Sequence, residues 1–219
     1  MRDPTAAVRF GIVVYDGVEP IDIGGTVGVV SMARRLLPNL SDAVIARTAG
    51  RVTLAGGLAI EAPHGFADAP PCDVYIVCGG PGWPEAAADP ALERFLRERP
   101  AERLASVCTG AMILAAAGCL DGRAATTRRG RAGAEPVAPL DALRSAGAID
   151  ARPAVVVDDG VVTGGGVALA IDATLYLIGR FYGAESRDAV ARLIEYDRAL
   201  RANAEALGIH VSGAGASGG

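Results

Sequence analysis

Histidine is scarce in this 219-residue chain, which has only His64 and His210. Nucleophile–histidine catalysis needs an imidazole beside the attacking atom, and neither position suits that role. His64 follows Pro63 in a loop-like stretch and reads as solvated, while His210 falls in the C-terminal tail. Zinc-type CxxC spacing is absent from the four cysteines, Cys72, Cys78, Cys108 and Cys119, so no metal site is expected. Basic excess is also missing. The formal net charge of −4 speaks against a nucleic-acid surface. No apolar stretch of signal-peptide type precedes the first strand, so a cytoplasmic protein with reduced thiols is expected. The two longest apolar runs do not suit a membrane. Residues 105–120 are too few and are interrupted by Thr109-Gly110, and residues 161–179 contain three consecutive glycines and Asp172. Aromatic residues make up only 5% of the chain, against 29 glycines, a composition suited to close packing of helices on a sheet.

The length allows one good core and does not require two domains. Residues 8–15 read as a buried strand, and a helical pattern runs from Pro20 to Leu37. Further strands are expected at 43–48, 74–77, 104–107 and 123–127, with a hairpin at the sheet edge over 51–60. Strands 154–157 and 161–163 flank an Asp158-Asp159-Gly160 turn. Helices are expected at 90–98, 138–146, 167–181 and 186–206. Residues 1–7 then form an arm, 8–208 a single domain, and 209–219 a disordered Gly/Ser-rich tail. Alternating strands and helices predict an α/β fold whose parallel sheet is covered on both faces. Ligands of such sheets gather beyond the carboxyl ends of the strands. Cys108, Gly79-Gly80 and residues 16–22 all follow strand ends, so all three should meet at one edge.

Ser106-Val107-Cys108-Thr109-Gly110 joins a strand-like run to the helix-like run 111–117. Such a turn puts Cys108 at a helix N-terminus, where unpaired N–H groups favour an anion and push a thiol toward thiolate. A small packed residue is the other reading. Asp22, between Ile21 and Ile23, is either a partly desolvated proton donor or a helix N-cap. Asp16 and Glu19 read as turn residues facing water. Gly79-Gly80-Pro81-Gly82 is not a dinucleotide fingerprint. Its N–H groups could meet a developing anion, or it is a tight turn. Gly164-Gly165-Gly166 could cradle an anion or let a helix pack closely. Arg128, Arg129 and Arg131 form either a solvated cluster or a carboxylate site. Thr109 could bond a substrate heteroatom or support the helix start.

In order, Ile21-Asp22-Ile23, Gly79-Gly80-Pro81-Gly82, Ser106-Val107-Cys108-Thr109-Gly110, Ala125-Thr126-Thr127, Thr163-Gly164-Gly165-Gly166 and Ile194-Glu195-Tyr196 resemble the ThiJ/PfpI superfamily. That superfamily is related to class I glutamine amidotransferases, and the likeness runs from about residue 8 to 196. Within it the chain most resembles the isonitrile hydratase branch, which has Thr rather than His after the cysteine. The resemblance implies a flavodoxin-like three-layer sandwich with a mainly parallel sheet. It implies nucleophile Cys108, acid Asp22 and assisting Thr109, with Gly79, Gly80, Gly110 and Arg128 about a small-molecule substrate. It further implies a homodimer that needs no metal or organic cofactor and binds neither nucleic acid nor membrane. Similar domains occur fused to AraC-type DNA-binding regions, but the residues after Ala206 are too few for a helix-turn-helix. The chain departs from the pattern at Arg128-Arg129, where His and an aromatic are usual. It departs again at Cys78, where proline is usual, and at Gly24-Gly25-Thr26. Glyoxalase-like or hydrolytic chemistry at the same cysteine, or a redox sensor, are the other readings.

Overall fold

A computed structural model describes residues 7–212. The expected arm, apart from Ala7, and the tail from Gly213 onward lie outside the described residues. Twelve strands are present among the described residues: β1 (Val8–Val13), β2 (Leu40–Ala46), β3 (Gly50–Thr53), β4 (Ala59–Ala62), β5 (His64–Gly65), β6 (Val74–Val77), β7 (Leu104–Ser106), β8 (Ala124–Ala125), β9 (Asp150–Ala151), β10 (Val156–Asp158), β11 (Val162–Gly164) and β12 (Ile209–Val211). Eight of them form one sheet in the order β12-β10-β11-β7-β6-β1-β2-β5. Every pairing in it is parallel except β10 with β11.

The helices are α1 (Pro20–Ile23), α2 (Val29–Ala33), α3 (Trp83–Ala87), α4 (Pro90–Arg97), α5 (Gly110–Ala116), α6 (Pro139–Ser145), α7 (Ala170–Tyr182), α8 (Ala184–Leu193) and α9 (Asp197–Leu207). A π-helical turn, Gly24–Gly28, joins α1 to α2.

Period-2 alternation splits the core between the two faces of the sheet. Phe10, Ile12 and Val14 of the first strand region, with Val74, Ile76 and Cys78, pack under α2, α7 and α8. Val13, Tyr75 and Val77 point the other way, into a second core with α4, α5 and α6. The result is the expected three-layer, flavodoxin-like α/β sandwich with a mainly parallel sheet. No helix among the described residues is long and apolar enough to cross a membrane.

Several boundaries differ from expectation. The helix read at 186–206 is two, α8 and α9, because Glu195 has a left-handed φ of 56° that breaks the run. Residues 209–211, expected in the disordered tail, form β12 and pair with β10 at the sheet edge, so His210 is a strand residue. His64 likewise belongs to a strand, opposite Ile45 on β2. The 51–60 hairpin exists as β3–β4, but as a separate two-stranded sheet over the end of β1. There the Gly17 N–H donates to the Thr53 carbonyl and the Ala55 N–H to the Val18 carbonyl. The short strand at 123–127 likewise pairs outside the main sheet, β8 with β9.

Candidate active site

Three loops converge where β1, β6 and β7 end. The loop after β7 carries Cys108, which is buried and holds a left-handed φ of 52°. For a residue with a Cβ such a conformation costs about 1–2 kcal/mol and persists only when its surroundings over-determine it. They do so here. The Cys108 N–H donates to the Gly165 carbonyl (3.2 Å), and the Cys108 carbonyl accepts the Thr127 hydroxyl (2.7 Å). Thr127, part of the Ala125-Thr126-Thr127 motif but given no role from the sequence, is thus a site-building residue. Its hydroxyl acts across loops, and no local spacing reports that contact.

The loop after β6 packs directly on the loop after β1. Gly80 has φ 155°, and a Cβ there would lie 2.3 Å from the Gly17 carbonyl oxygen, so only glycine permits this approach. The N–H groups of the pair are already committed. Gly79 donates to Asp22 Oδ2 (2.7 Å), and Gly80 donates to Thr109 Oγ1 (2.9 Å). These donors were expected to face a developing anion. The structure corrects this for the amides, which are bonded to the acid and the hydroxyl, while Gly80 itself lines the cavity over Cys108. Gly110 is also displaced from its expected role. It does not line the cavity, and a Cβ on it would sit 2.0 Å from the Val77 carbonyl oxygen. Its part is close packing of α5 on β6.

Asp22 is fully buried in α1, and its Oδ1 accepts no hydrogen bond from the described residues. It is not a side-chain N-cap, the other role open to it. Burial raises its pKa to about 7, opposed by the Gly79 N–H, helped by the Glu19 charge and opposed again by Arg128. An acid titrating at neutral pH can both accept and donate a proton. Thr26 anchors it through a hydroxyl donated to the Asp22 carbonyl oxygen (2.7 Å) within the π-turn.

The thiol departs from expectation. Burial pushes Cys108 up to about 12, and the Asp22 charge adds to the rise. The Thr109 N–H, Arg128 and the Thr109 hydroxyl oppose it without prevailing. Desolvation outweighs the helix N-terminus because α5 has only seven residues and Cys108 is only 3% exposed. A neutral Asp22 removes one of the causes, so the two groups titrate against each other.

A cavity of about 890 Å³ opens over Cys108 and Thr109, within the range of small-molecule sites. Glu19, expected to face water, lines it, while Asp16 remains exposed and accepts the Thr53 N–H (2.8 Å). Trp83, the chain's single tryptophan, forms part of the wall at the start of α3, a helix that sequence patterning did not reveal. The segment from Arg128 to Pro139 supplies much of the remaining wall. Of the three arginines, Arg128 and Arg131 line the cavity and Arg129 faces solvent. The glycine triplet divides its labour. A Cβ on Gly164 would crowd Ala173 of α7 at 2.5 Å, whereas one on Gly166 would lie 2.7 Å from Cys108 Sγ and 2.9 Å from Arg128 Cβ. Arg128 and the thiol therefore both abut a bare glycine. A second cavity of about 330 Å³, between α7–α9, Val155 and Ile209 of β12, contains no cysteine.

The DJ-1/PfpI family model matches residues 8–179. The isonitrile hydratase of Pseudomonas putida is 31% identical over 192 residues, covering 87% of this chain and 79% of that protein. The HTH-type transcriptional regulator GbdR of Pseudomonas aeruginosa is 32% identical over 150 residues, which are 68% of this chain but 39% of the regulator. Among solved structures, a THiJ/PfpI family protein from Pseudomonas syringae superposes with a TM-score of 0.74 at 28% identity, covering 90% of this chain and 82% of that one. The match spans most of the chain and includes every loop that builds the cysteine site, so the chain belongs to the DJ-1/PfpI family.

Proposed function

We propose that the protein hydrates isonitriles to N-substituted formamides, with Cys108 as nucleophile, Asp22 as proton carrier and Thr109 as assisting hydroxyl. The observation that carries the reading is the buried Asp22, titrating near neutrality and held by Gly79 beside a cysteine with no histidine. The likeness to an isonitrile hydratase over 87% of the chain supports it.

The chemistry balances with these groups alone. The Cys108 sulphur bonds to the terminal isonitrile carbon as its proton passes, by way of the Asp22 carboxylate, to that same carbon. This gives a thioimidate, S–CH=N–R. Water adds across C=N, its proton going to nitrogen and its oxygen to carbon. The C–S bond then breaks, the carbinol proton returns to sulphur through Asp22, and the formamide leaves. Thr109, held by Gly80, can donate its hydroxyl proton toward the sulphur or to the Gly80 carbonyl at 3.4 Å. The raised thiol pKa accords with a sulphur that gives up its proton only as it attacks.

Loss of the isonitrile infrared band, with formamide appearing by NMR, tests the activity. It should vanish in Cys108→Ala and fall by about 10²-fold or more in Asp22→Asn, the usual scale of a lost acid–base group. A folded wild type inert toward a broad isonitrile panel refutes the proposal. We infer also that the enzyme works as a cytoplasmic homodimer. Ile21 is 51% exposed on the helix that carries Asp22, and Gly24 and Gly28 beside it have open space. A monomer in sedimentation velocity at micromolar concentration would refute the dimer.

A further inference from the structure

Resting on the isonitrile reading, we propose that Arg128 is a carboxylate anchor, so that the substrate is an isonitrile bearing a carboxylate. One wall of the cavity is built from a segment that folds back on itself through an ion pair, Arg128 with Glu135. Arg128 has a side chain only 12% exposed, although a guanidinium loses much hydration on burial. Among the described residues its guanidinium donates two hydrogen bonds, to the Glu135 carboxylate and the Gly130 carbonyl. A guanidinium carries five N–H donors in a planar fork, so donors remain for a second acceptor. Arg131, the other cation of the cavity, is bound through its Nε to the Glu135 backbone carbonyl at 2.7 Å and lies exposed at the rim.

Glu135 behaves as an internal stand-in for the substrate group. Its second oxygen accepts the Ala132 N–H at 2.8 Å, so it keeps a partner when Arg128 turns to another carboxylate. Position fixes which part of a substrate Arg128 would meet. Its Cβ and the Cys108 sulphur both border Gly166, each within 3 Å of where a Cβ there would be. An isonitrile carbon on the sulphur would therefore place a carboxylate one or two carbons away within the reach of the guanidinium. Glu19 lines the same cavity on the side of the Asp22 loop, which disfavours the reverse orientation.

The test pairs isocyanoacetate with its methyl ester, equal in reactive group and different in charge, and adds binding of N-formylglycine read by Trp83 fluorescence. Wild type should favour the acid over the ester in kcat/KM. Arg128→Met should collapse that ratio by about ten- to a hundredfold, the range of a charge-assisted bidentate contact, and Arg128→Lys should restore part of it. N-formylglycine should bind wild type more tightly than its methyl ester and lose that margin in Arg128→Met. Glu135→Gln should tighten N-formylglycine severalfold by removing the competitor. Equal use of acid and ester by wild type, or an unchanged ratio in Arg128→Met, overturns the proposal. So does unchanged or weaker N-formylglycine binding in Glu135→Gln. Binding that depends on Arg128 without turnover of any isonitrile would uphold the anchor and remove the hydration reading. Turnover without any Arg128-dependent binding would do the reverse.

Discussion

Replacing Asp22 with asparagine should stabilise the protein, and by an amount that depends on pH. Asp22 is fully buried, and its pKa moves from an ordinary 3.8 to about 7. Between those values the folded state keeps a proton that the unfolded chain releases. The native state then binds more protons than the unfolded one, so wild-type stability falls as pH rises from about 4 to 7. Roughly three pKa units at about 1.4 kcal/mol each give a loss of about 4 kcal/mol, complete above pH 7. The substituted amide cannot ionise, and its carbonyl oxygen can keep the Gly79 N–H bond. Both asparagine and the protonated acid leave a donor at the position of the unpartnered Oδ1, so that cost largely cancels. The stability advantage of Asp22→Asn should therefore be small near pH 4 and grow to about 4 kcal/mol at pH 8. Urea titrations of both proteins at one concentration across that range measure it, with activity assayed alongside. A difference that is constant with pH, or wild type gaining on the variant as pH rises, would refute the reasoning. The same substitution should reduce catalysis while raising stability, as expected where a strained group serves chemistry.

Iodoacetamide should label Cys108 slowly at pH 7 and faster toward pH 12, and Asp22→Asn should accelerate labelling at neutral pH by removing a negative charge; an apparent thiol pKa below 7 in the ligand-free protein contradicts the burial argument. Gly110→Ala forces a Cβ to 2.0 Å from the Val77 carbonyl oxygen and should lower stability by about 3 kcal/mol or more; an unchanged melting temperature would show that α5 can move off β6. Tyr196→Phe removes the hydroxyl that donates to Asp172 Oδ2 at 2.8 Å, leaving that buried acid to Asn203. A loss of about 1–3 kcal/mol in chemical denaturation is expected, and no loss would mean that Asn203 alone satisfies the carboxylate.

Much of this architecture is legible in local pattern. The near-continuous apolar runs 10–14 and 74–78 serve two cores, and a strand buried on both faces must read that way. The Cys108 turn is legible because a strand, a short polar break and a helix follow one another in few residues. The break at Glu195 is not, since nothing in the apolar spacing of 186–206 reports a left-handed residue. Strand β12 is also hidden, because three residues pair only once β10 offers an edge. Residue type alone could not divide the arginines. Arg128 lines the cavity, and Arg129 beside it faces out.

What the sequence by itself determined is the alternation of strands and helices, the cysteine at the turn between them, and an acid in an apolar setting. These follow from periodicity and from neighbours within a few residues. Only the tertiary structure decided which groups face each other. It turned the Gly79 and Gly80 amides away from an expected anion and onto Asp22 and Thr109, and it moved Gly110 from ligand to packing. It also buried the thiol deeply enough to raise rather than lower its pKa. Contacts between residues 22, 79, 108 and 128 depend on how three strand ends converge, and desolvation depends on everything that covers them. Both are properties of packed volume, which a linear spacing does not encode.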